Sequence, residues 1–476
     1  MQKGCGMAGR WPLAVAVLLL VVVFVLGALR WGMPVLLLPV LAMATVAVLI
    51  WPRQSLYAIY ALVPLSIPFS AMVPGLGADF WFPTEPMAAL LLLLLLLRLL
   101  QQRDAWMGEL SAEPIFWIIA LFLVWLALAA LASTRLGVSA KYMLVRLWFV
   151  ATFFYASYLE LRKHPQRAAY MLWGYIAGMA VVAVYTVLRQ RSMGLFDRQV
   201  AQYTCTPFFP DHTSYGAALA FALPMALGLA RASRSMFGRL VALALSALFA
   251  VALVLSHTRA AWLGLVMGAG VWMLCLQRMP FRRVLLLAAG AALLVAMAWP
   301  QLLRYMHHTE AESTGGLANH VRSITNISTD ESNVERLNRW SCAWLMFAEK
   351  PLLGFGPGTF QFAYAPYQHN RYITLASTNR GDRGGAHSEY LGLLAEGGIV
   401  VAVLFLVLII SAITAAMRLA VQMPAEPSRA LLMALLVGFT AYAAHSALNN
   451  FLDIDKLAAP FWLTIALVVA MRRLVR

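Results

Sequence analysis

Apolar runs recur along almost the whole chain, and they limit its possible folds more than any other feature. In lipid, only a helix or a closed barrel satisfies every backbone polar group, and a helix needs about 20 mostly apolar residues to cross a bilayer. Such runs lie near residues 12–29, 33–50, 56–73, 84–100, 114–132, 141–159, 169–188, 213–230, 239–256, 260–276, 284–299, 396–417, 430–447 and 457–471. The sequence therefore predicts an all-α fold, a polytopic transmembrane helix bundle.

The number of spans depends on how the first part of the chain is read. All the runs together give fourteen spans. Prolines interrupt the runs 33–50 and 56–73, and leaving out these two gives twelve spans without reversing the orientation of those that follow. The first run, 12–29, resembles a signal peptide, but another apolar run follows it at once, so we expect it to be retained as the first span.

Composition excludes a soluble protein and argues against a nucleic-acid binder. Hydrophobic residues make up 62% of the 476 residues and charged residues 12%, with a mean hydropathy of +0.76, whereas soluble domains carry about 25% charged residues. The net charge of +16 is concentrated in short basic clusters at 51–54, 98–104, 160–167, 231–239, 277–283, 418–429 and 472–476. Because basic loops of this kind face the cytoplasm, they orient a bundle that contacts membrane lipids and no nucleic acid.

The segment 300–386 is the one long polar stretch of the sequence. With the basic loops inside, it lies on the outer face, which is the periplasm for a bacterial inner membrane. The predicted organisation is an N-terminal transmembrane bundle (1–299), a partly helical periplasmic loop domain (300–386) and C-terminal transmembrane helices (387–476). Because a chain otherwise buried in lipid has few other places for polar chemistry, we expect the functional site in this segment and at its end.

Inside the polar segment the pattern predicts a helix, a turn and a loop. Apolar residues recur at spacings of three and four from Leu337 onwards, as in an amphipathic helix, and Pro351 ends the pattern. The letters GFGPGTF predict a Gly/Pro turn, and residues 358–367 a second short helix. Residues 374–385 are expected to form a loop, and the next helix is expected to start near His387.

Three arginines are candidates for contact with an anionic group. Arg259 sits in a tight hairpin between two apolar helices, where a guanidinium either forms paired hydrogen bonds to phosphate oxygens or snorkels to the membrane surface. Arg336 and Arg339 open the amphipathic helix. For Arg339 we expect a solvated helix face, whereas spacing alone leaves Arg336 undecided.

His387 follows a glycine-rich loop at the outer rim of the bundle. An unperturbed histidine has a pKa of about 6.5, so it can accept a proton near neutral pH. A lone histidine is more often structural, but Glu389 and Tyr390 beside it and Arg383 before it favour a site. These three neighbours are therefore candidate substrate-binding residues.

Another outer loop, 189–216, adds weaker candidates. Arg191, Asp211 and His212 are further candidate substrate-binding residues of this loop. Asp211 and His212 either line an acceptor site or merely begin a membrane helix, because an aspartate is also a favoured helix N-cap.

Two patterns bear on metals and on redox chemistry. Asp453 and Asp455 form a D-x-D pair, which holds a divalent cation in many glycosyltransferases, although carboxylates at a membrane edge are the commoner reading. The four cysteines show neither CxxC nor zinc-site spacing. The sequence leaves open whether Cys205 and Cys342 pair in an oxidising compartment.

Three motifs resemble those of the lipopolysaccharide O-antigen ligase family, part of the O-antigen ligase/polymerase superfamily. SHTRAAWLG resembles the family's hairpin and carries Arg259. RLNRWSCAWLMFAEKPLLGFGPGTF resembles its R-x-x-x-W…P-L-x-G-x-G-x-x-F stretch and carries Arg336 and Trp340. HSEYLGLLAEGG resembles its H-N-x-Y/F-L-x-x-x-x-E-x-G motif and carries His387, with Ser388 where the family commonly has asparagine. A second departure is the span count, since fourteen spans exceed the twelve usually assigned to the ligases.

The resemblance implies a GT-C-like membrane glycosyltransferase with its site facing the periplasm. It implies transfer of an O-antigen glycan from undecaprenyl pyrophosphate to a sugar hydroxyl of lipid A-core, with inversion and without metal, nucleotide or other cofactor. In this scheme Arg259 and Arg336 bind the donor pyrophosphate and stabilise the leaving group. His387 is the general base that activates the acceptor hydroxyl.

Several alternatives stay open from the sequence. An O-antigen polymerase and a protein O-oligosaccharyltransferase share these motifs, and the sequence separates them poorly from a ligase. A polytopic transporter or flippase explains the spans and basic loops but predicts functional polar residues at mid-membrane, whereas the polar groups here concentrate outside. A purely structural membrane protein does not need the set Arg259, Arg336 and His387.

Overall fold

The computed structural model describes residues 33–71, 80–101, 107–279, 283, 331–368, 384–424 and 427–475, and these are predominantly helical. The α-helices are α1 (Met33–Ile50), α2 (Pro52–Leu62), α3 (Thr84–Gln101), α4 (Met107–Ser111), α5 (Pro114–Leu131), α6 (Leu136–Phe149), α7 (Ser157–Leu161), α8 (Ala168–Met193), α9 (Arg198–Ala201), α10 (His212–Ala232), α11 (Met236–Leu255), α12 (Arg259–Leu276), α13 (Glu331–Glu349), α14 (Phe360–Ala363), α15 (Glu389–Gln422), α16 (Pro427–His445) and α17 (Asp455–Val475). A π-helical segment, Val150–Ala156, joins α6 to α7, and 3₁₀ turns lie at Val63–Leu65, Phe69–Ala71, Pro165–Arg167 and Ala365–Tyr367. Two short strands, β1 (Ile67–Pro68) and β2 (Trp81–Phe82), pair antiparallel.

Eight helical segments of the described residues are long and apolar enough to cross a membrane. They are α5, the continuous α6–α7, α8, α10, α11, α12, α15 and α16. The prediction of an all-α polytopic membrane bundle is confirmed. Helices α1, α3 and α17 coincide with three further apolar runs, while the runs 12–29 and 284–299 lie outside the described residues.

The bounds expected for the apolar run 56–73 are wrong. Helix α2 begins at Pro52 and ends at Leu62, after 11 residues, which is too short to cross a bilayer. A 3₁₀ turn that contains Pro64 follows, and Pro68 lies in β1. Each of these prolines lacks the N–H that a continuing helix would need, so the chain leaves the helical path here.

Helix α16 packs against both α10 and α12 at very short range. A Cβ atom added to Gly264 of α12 would lie 2.6 Å from the carbonyl oxygen of Ala441, and one added to Gly268 would lie 2.5 Å from that of Val437. Small residues at such crossings let two membrane helices approach backbone to backbone. The pairing is antiparallel, so the first residues of α12 lie beside the end of α16.

Helix α15 is bent at Gly398, whose backbone angles are φ 76° and ψ −175°. This region of conformational space is essentially restricted to glycine, and a Cβ atom here would lie 2.1 Å from the carbonyl oxygen of Leu352. Across the bend, the N–H of Ile399 donates to the carbonyl of Pro351 at 2.9 Å. The bend therefore brings the start of α15 under the turn that follows α13.

Candidate active site

Five segments meet at one end of the bundle. They are the start of α10, the hairpin between α11 and α12, helix α13, residues 384–388 and the link between α16 and α17. The hydroxyl of Thr258 in the hairpin donates to the carbonyl of His212 at 2.9 Å. The indole N–H of Trp340 in α13 donates to the carbonyl of His387 at 3.1 Å. Polar residues from distant parts of the sequence are thus brought to a single place.

The link between α16 and α17 holds the residues next to His387. The side-chain oxygen of Asn450 accepts from the N–H of Ser388 at 3.1 Å, and its amide nitrogen donates to the Ser388 carbonyl at 3.2 Å. The buried carboxylate of Glu389 accepts from the N–H groups of Phe451 at 2.8 Å and Leu452 at 3.2 Å. These contacts bind the start of α15 to the link on both sides of the Ser388–Glu389 peptide.

His387 itself is half-buried and has a left-handed backbone, with φ 51°. Its ring nitrogen Nδ1 lies 3.3 Å from the side-chain oxygen of Asn449. Since an amide oxygen only accepts hydrogen bonds, the proton of a neutral ring belongs on Nδ1. The other nitrogen, Nε2, then carries the lone pair that a general base requires.

The electrostatic surroundings keep His387 neutral at physiological pH. Burial, together with the positive charges of Arg339 and Arg336, lowers the pKa of His387 from its usual value to about 4. The hydrogen bond to Asn449 opposes this effect only in part. The ring is therefore ready to accept a proton, although it is a weaker base than an exposed histidine.

Arg336 lies within range of electrostatic interaction with three imidazoles, those of His212, His387 and His445. His257 of the hairpin interacts in the same way with His212. The guanidinium charge and the ring N–H groups make this part of the site suited to an anion. Two of the sequence candidates, Arg336 and His212, are thus found together with His387.

Arg259 begins α12 at the same end of the bundle. It directly follows Thr258, the residue that contacts His212. A Cβ atom on Gly216 of α10 would lie 2.6 Å from the side chain of Thr258, so the hairpin touches α10. The N-terminus of α12 adds the positive end of a helix dipole. The backbone of Arg259 therefore lies at the same end of the bundle as His212, next to the residue that contacts it.

The expectation that Arg339 lies on a solvated helix face is wrong, because only 3% of the residue is exposed. Its guanidinium pairs with Glu335 at 2.6 Å and donates to the carbonyl of Gly385 at 3.0 Å. It also stacks over the ring of Tyr364, 4.8 Å from the ring centre. Residues 384–386 cover this face of α13, and Arg339 fixes the backbone that leads to His387.

Glu396 holds the glycine-rich turn between α13 and α14. Its carboxylate accepts from the N–H groups of Gly358 at 3.0 Å and Phe360 at 2.8 Å, and its backbone carbonyl accepts from Gly356 at 2.9 Å. The hydroxyl of Ser139 donates to the carbonyl of Pro357 at 2.8 Å. The glycines and the glutamate of the two motifs thus serve to hold α13 and α6 on α15.

The other candidate substrate-binding residues are not shown to face the same space as His387. The hydroxyl of Tyr390 donates to the carbonyl of Ala443 at 2.8 Å. Like the buried carboxylate of Glu389, it therefore forms hydrogen bonds within the protein. The carboxylate of Asp211 caps α10 by accepting from the N–H groups of Thr213 and Ser214. Arg191 is exposed on the last turn of α8, and Arg383 lies outside the described residues.

The carboxylates of the D-x-D pair have separate partners. Asp453 is half-exposed and pairs with Arg146 at 2.9 Å. Asp455 is fully buried, pairs with Lys456 at 3.0 Å and accepts from the hydroxyls of Ser66, at 2.6 Å, and Thr84. Among the described residues, no group of three or more His, Cys, Asp and Glu side chains could hold a metal ion. The arrangement gives Asp455 a structural role.

Three cysteines of the described chain, Cys205, Cys275 and Cys342, are buried thiols that form no disulfide. The pairing of Cys205 with Cys342, left open by the sequence, is therefore not present. Burial raises the pKa of the Cys342 thiol to about 12, with the charge of Arg339 opposing this effect. A thiol with such a pKa is unreactive at neutral pH.

Sequence reasoning missed Asn449 and Asn450. The pair stands 62 residues after the groups that it contacts, and an NN dipeptide between two spans predicts only a turn. Glu396, by contrast, was detectable, because it is the glutamate of the HSEYLGLLAEGG motif. The sequence does not show that the carboxylate of Glu396 binds the N–H groups of the glycine-rich turn.

Part of the chain matches a known protein family. Residues 244–406 match a protein family described as O-antigen ligase. The match includes the hairpin with Arg259, helix α13 with Arg336, the glycine-rich turn, and His387. The chain matches no curated protein.

Proposed function

Because the chain is a member of the O-antigen ligase family through residues 244–406, we propose that this multi-pass membrane protein is an O-antigen ligase. It transfers the glycan of undecaprenyl-pyrophosphate-linked O-antigen to a sugar hydroxyl of lipid A-core, at the periplasmic face of the bacterial inner membrane. The reaction inverts the anomeric centre and needs no metal. His387 is the general base, and Arg259 and Arg336 bind the donor pyrophosphate.

The contact of His387 with Asn449, within the field of Arg336, carries this proposal. It supplies a neutral imidazole with Nε2 available, which is what deprotonation of a weakly nucleophilic hydroxyl requires. Beside it lies a cationic group suited to a leaving group that becomes more negative as the sugar departs. The groups proposed as general base and as leaving-group stabiliser thus lie within range of electrostatic interaction with each other.

The donor supplies the energy of the reaction through its pyrophosphate linkage. A guanidinium forms two parallel hydrogen bonds to phosphate oxygens, so Arg259 and Arg336 suit the two phosphates of the donor. The acceptor oxygen attacks the anomeric carbon from the face opposite the pyrophosphate. The bond to the pyrophosphate oxygen breaks with its electron pair, and Nε2 of His387 takes the hydroxyl proton.

Donor binding strengthens the base in this scheme. In the free enzyme the charges of Arg339 and Arg336 help to lower the pKa of His387. A bound pyrophosphate neutralises Arg336, so it raises the pKa of His387 toward the working pH, where a general base is most efficient. The imidazole of His387 is therefore a stronger base when the donor is bound than in the free protein.

The experiment that tests the function is the lipopolysaccharide pattern of cells that carry His387→Ala. Removal of a general base costs about 10²- to 10⁴-fold in rate, so lipid A-core should lack O-antigen while polymerised glycan accumulates on undecaprenyl pyrophosphate. His164→Ala, which changes a half-buried histidine of the link between α7 and α8, is the matched control and should give normal ladders.

Two outcomes contradict parts of the proposal. If His387→Ala cells show the normal lipopolysaccharide pattern, with the usual range of O-antigen chain lengths, then His387 is not the general base. Core that carries one repeat unit and no long chains in those cells indicates a polymerase, an activity of the same superfamily, in place of a ligase.

The orientation in the membrane has its own test. A cysteine placed at Gly315, in the polar segment, should react with a membrane-impermeant thiol reagent in intact spheroplasts. Background labelling from the described part of the chain is low because Cys205, Cys275 and Cys342 are buried, and Cys5 is replaced by serine in every variant. Lys163→Cys, on the predicted cytoplasmic side, should react only after lysis, and the reverse pattern refutes the periplasmic assignment.

A further inference from the structure

A second polar space lies next to the site, apart from Arg259, Arg336 and the histidines near them. It is a cavity of about 420 Å³ between α6, the glycine-rich turn, residues 384–386 and the link between α16 and α17. Ala386 and Glu389 both line it. His387 therefore stands between two lining residues along the chain.

The inner wall of this cavity is rigid, because its charged groups hold one another or the backbone. Arg146 is buried and contacts Asp453, the carbonyl of Leu452 at 3.0 Å and the hydroxyl of Tyr142. Glu389 and Glu396 each accept two backbone N–H groups. A preformed cavity of this kind loses little conformational freedom when a ligand binds.

The lining offers both donors and acceptors of hydrogen bonds. Lys141 is an exposed donor, Asp453 a half-exposed acceptor, and the amide of Gln361 can do both. The rings of Tyr142 and Phe360 add apolar surface. Sugar hydroxyls donate and accept, and the C–H faces of a sugar ring are apolar, so this lining fits a saccharide.

A pyrophosphate does not fit the same cavity. Its oxygens only accept hydrogen bonds, and the cavity walls include the carboxyl groups of Glu389, Glu396 and Asp453, while the cation Arg146 is already paired with Asp453. An acceptor that faces another acceptor forms no hydrogen bond. The pyrophosphate therefore belongs with Arg259 and Arg336, and a substrate portion without that charge suits the cavity.

We propose that this cavity is the acceptor subsite, which binds the sugar residues of the acceptor glycan and presents a hydroxyl to His387. This inference rests on the proposed transfer reaction. The donor and the acceptor then approach His387 from two different chemical surroundings, one cationic and one mixed. Lys141 and Gln361 are the binding residues that distinguish the acceptor subsite from the donor subsite.

The experiment compares two double variants of the full-length protein in lipid nanodiscs. Lys141→Ala/Gln361→Ala removes two side chains that line the cavity. Lys163→Ala/Gln166→Ala removes the same residue types from exposed positions in the link between α7 and α8. The acceptor is rough lipopolysaccharide from a strain that lacks this gene, and the donor is the lipid-linked glycan from that strain.

The cavity variant should raise the KM for rough lipopolysaccharide at least about tenfold, since it loses one neutral and one charged hydrogen bond. Its KM for the donor should stay within about twofold of the wild-type value, because the donor arginines are unchanged. The control variant should match the wild type in both. A changed donor KM, or an unchanged acceptor KM in the cavity variant, overturns the proposal.

Binding to inactive protein separates this inference from the proposed function. In the His387→Ala background, rough lipopolysaccharide should bind, delipidated core oligosaccharide should compete, and Lys141→Ala/Gln361→Ala should weaken both. If these results hold while the wild type transfers no glycan, the subsite stands and the function is wrong. If transfer occurs but core oligosaccharide does not compete, the subsite is wrong and the function stands.

Discussion

Asn449 and His387 are joined by a contact of 3.3 Å between Oδ1 of the amide and Nδ1 of the imidazole. The amide nitrogen of Asn449 lies 3.5 Å from Nε2 of a second, fully buried histidine, His445. The two contacts agree on one orientation of the amide, with the oxygen toward His387 and the nitrogen toward His445. Asn449 therefore selects the form of His387 whose Nε2 is basic.

Asn449→Ala should lower kcat about tenfold or more, because His387 loses the partner that selects its tautomer and ring orientation. Asn449→Asp keeps an acceptor at this position and should restore part of the rate, which a purely structural asparagine does not predict. Transfer rates at saturating donor and acceptor measure both effects. Equal rates in the wild type and Asn449→Ala remove the positioning role.

The pH dependence should distinguish free from donor-bound enzyme. The pKa of His387 is about 4 in the free protein, so kcat/KM for the donor should stay flat from pH 8 down to about 5 and fall below that. The acid limb of kcat should lie at higher pH, because bound pyrophosphate favours the protonated ring. If the acid limbs of kcat and of kcat/KM lie at the same pH, donor binding does not raise the pKa of His387.

Replacement of Arg336 by glutamine removes one of the charges that lower the pKa of His387. The acid limb of kcat/KM should therefore move to higher pH, toward the ordinary histidine value, even if the rate itself falls. The midpoint of the limb, measured relative to each variant's own maximum, reports the change. A fixed midpoint shows that Arg336 does not act on His387.

Arg259→Lys and Arg336→Lys should both be severely impaired, although each keeps its positive charge. An ammonium cannot form the paired, planar hydrogen bonds that a guanidinium forms to phosphate oxygens. Transfer assays should be accompanied by measurement of the amount of inserted protein. Wild-type turnover in both variants leaves the two arginines as structural residues.

Transfer should continue in excess EDTA, and Asp453 and Asp455 should have structural roles. Asp455 is buried against Lys456 and accepts from two hydroxyls, so its carboxylate is not available for an ion shared with Asp453. Activity lost in EDTA and restored by Mg²⁺ or Mn²⁺ contradicts the prediction and brings both carboxylates into the reaction.

Gly398→Ala should destabilise the protein by at least about 2 kcal/mol, because alanine does not adopt this backbone region and its Cβ would collide with Leu352. Gly270→Ala is the matched control, since a Cβ atom at Gly270 meets nothing within 4 Å. Thermal unfolding in detergent should show a lower midpoint for Gly398→Ala alone. Equal midpoints contradict the need for glycine at the bend.

The sequence predicts helices well in this protein, because a backbone in lipid satisfies its polar groups only in a helix or a closed barrel. It predicts side-chain surroundings less well. Arg339 was expected in solvent since its helix is amphipathic, but the amphipathic pattern contains no information about residues 384–386, which cover it. Glu389 stands beside His387 in the sequence, yet its carboxylate turns to the N–H groups of Phe451 and Leu452.

The hydrogen bonds between Asn450 and Ser388 have a consequence for how the protein is made. Asn449 and Asn450 each stand 62 residues after the group that they contact, so they leave the ribosome well after His387 and Ser388. Until the hairpin of α16 and α17 has entered the membrane, the imidazole of His387 lacks its contact with Asn449, and the start of α15 lacks its contacts with Asn450. A chain that stops before this hairpin should therefore hold the proposed donor arginines without an aligned base and should be inactive.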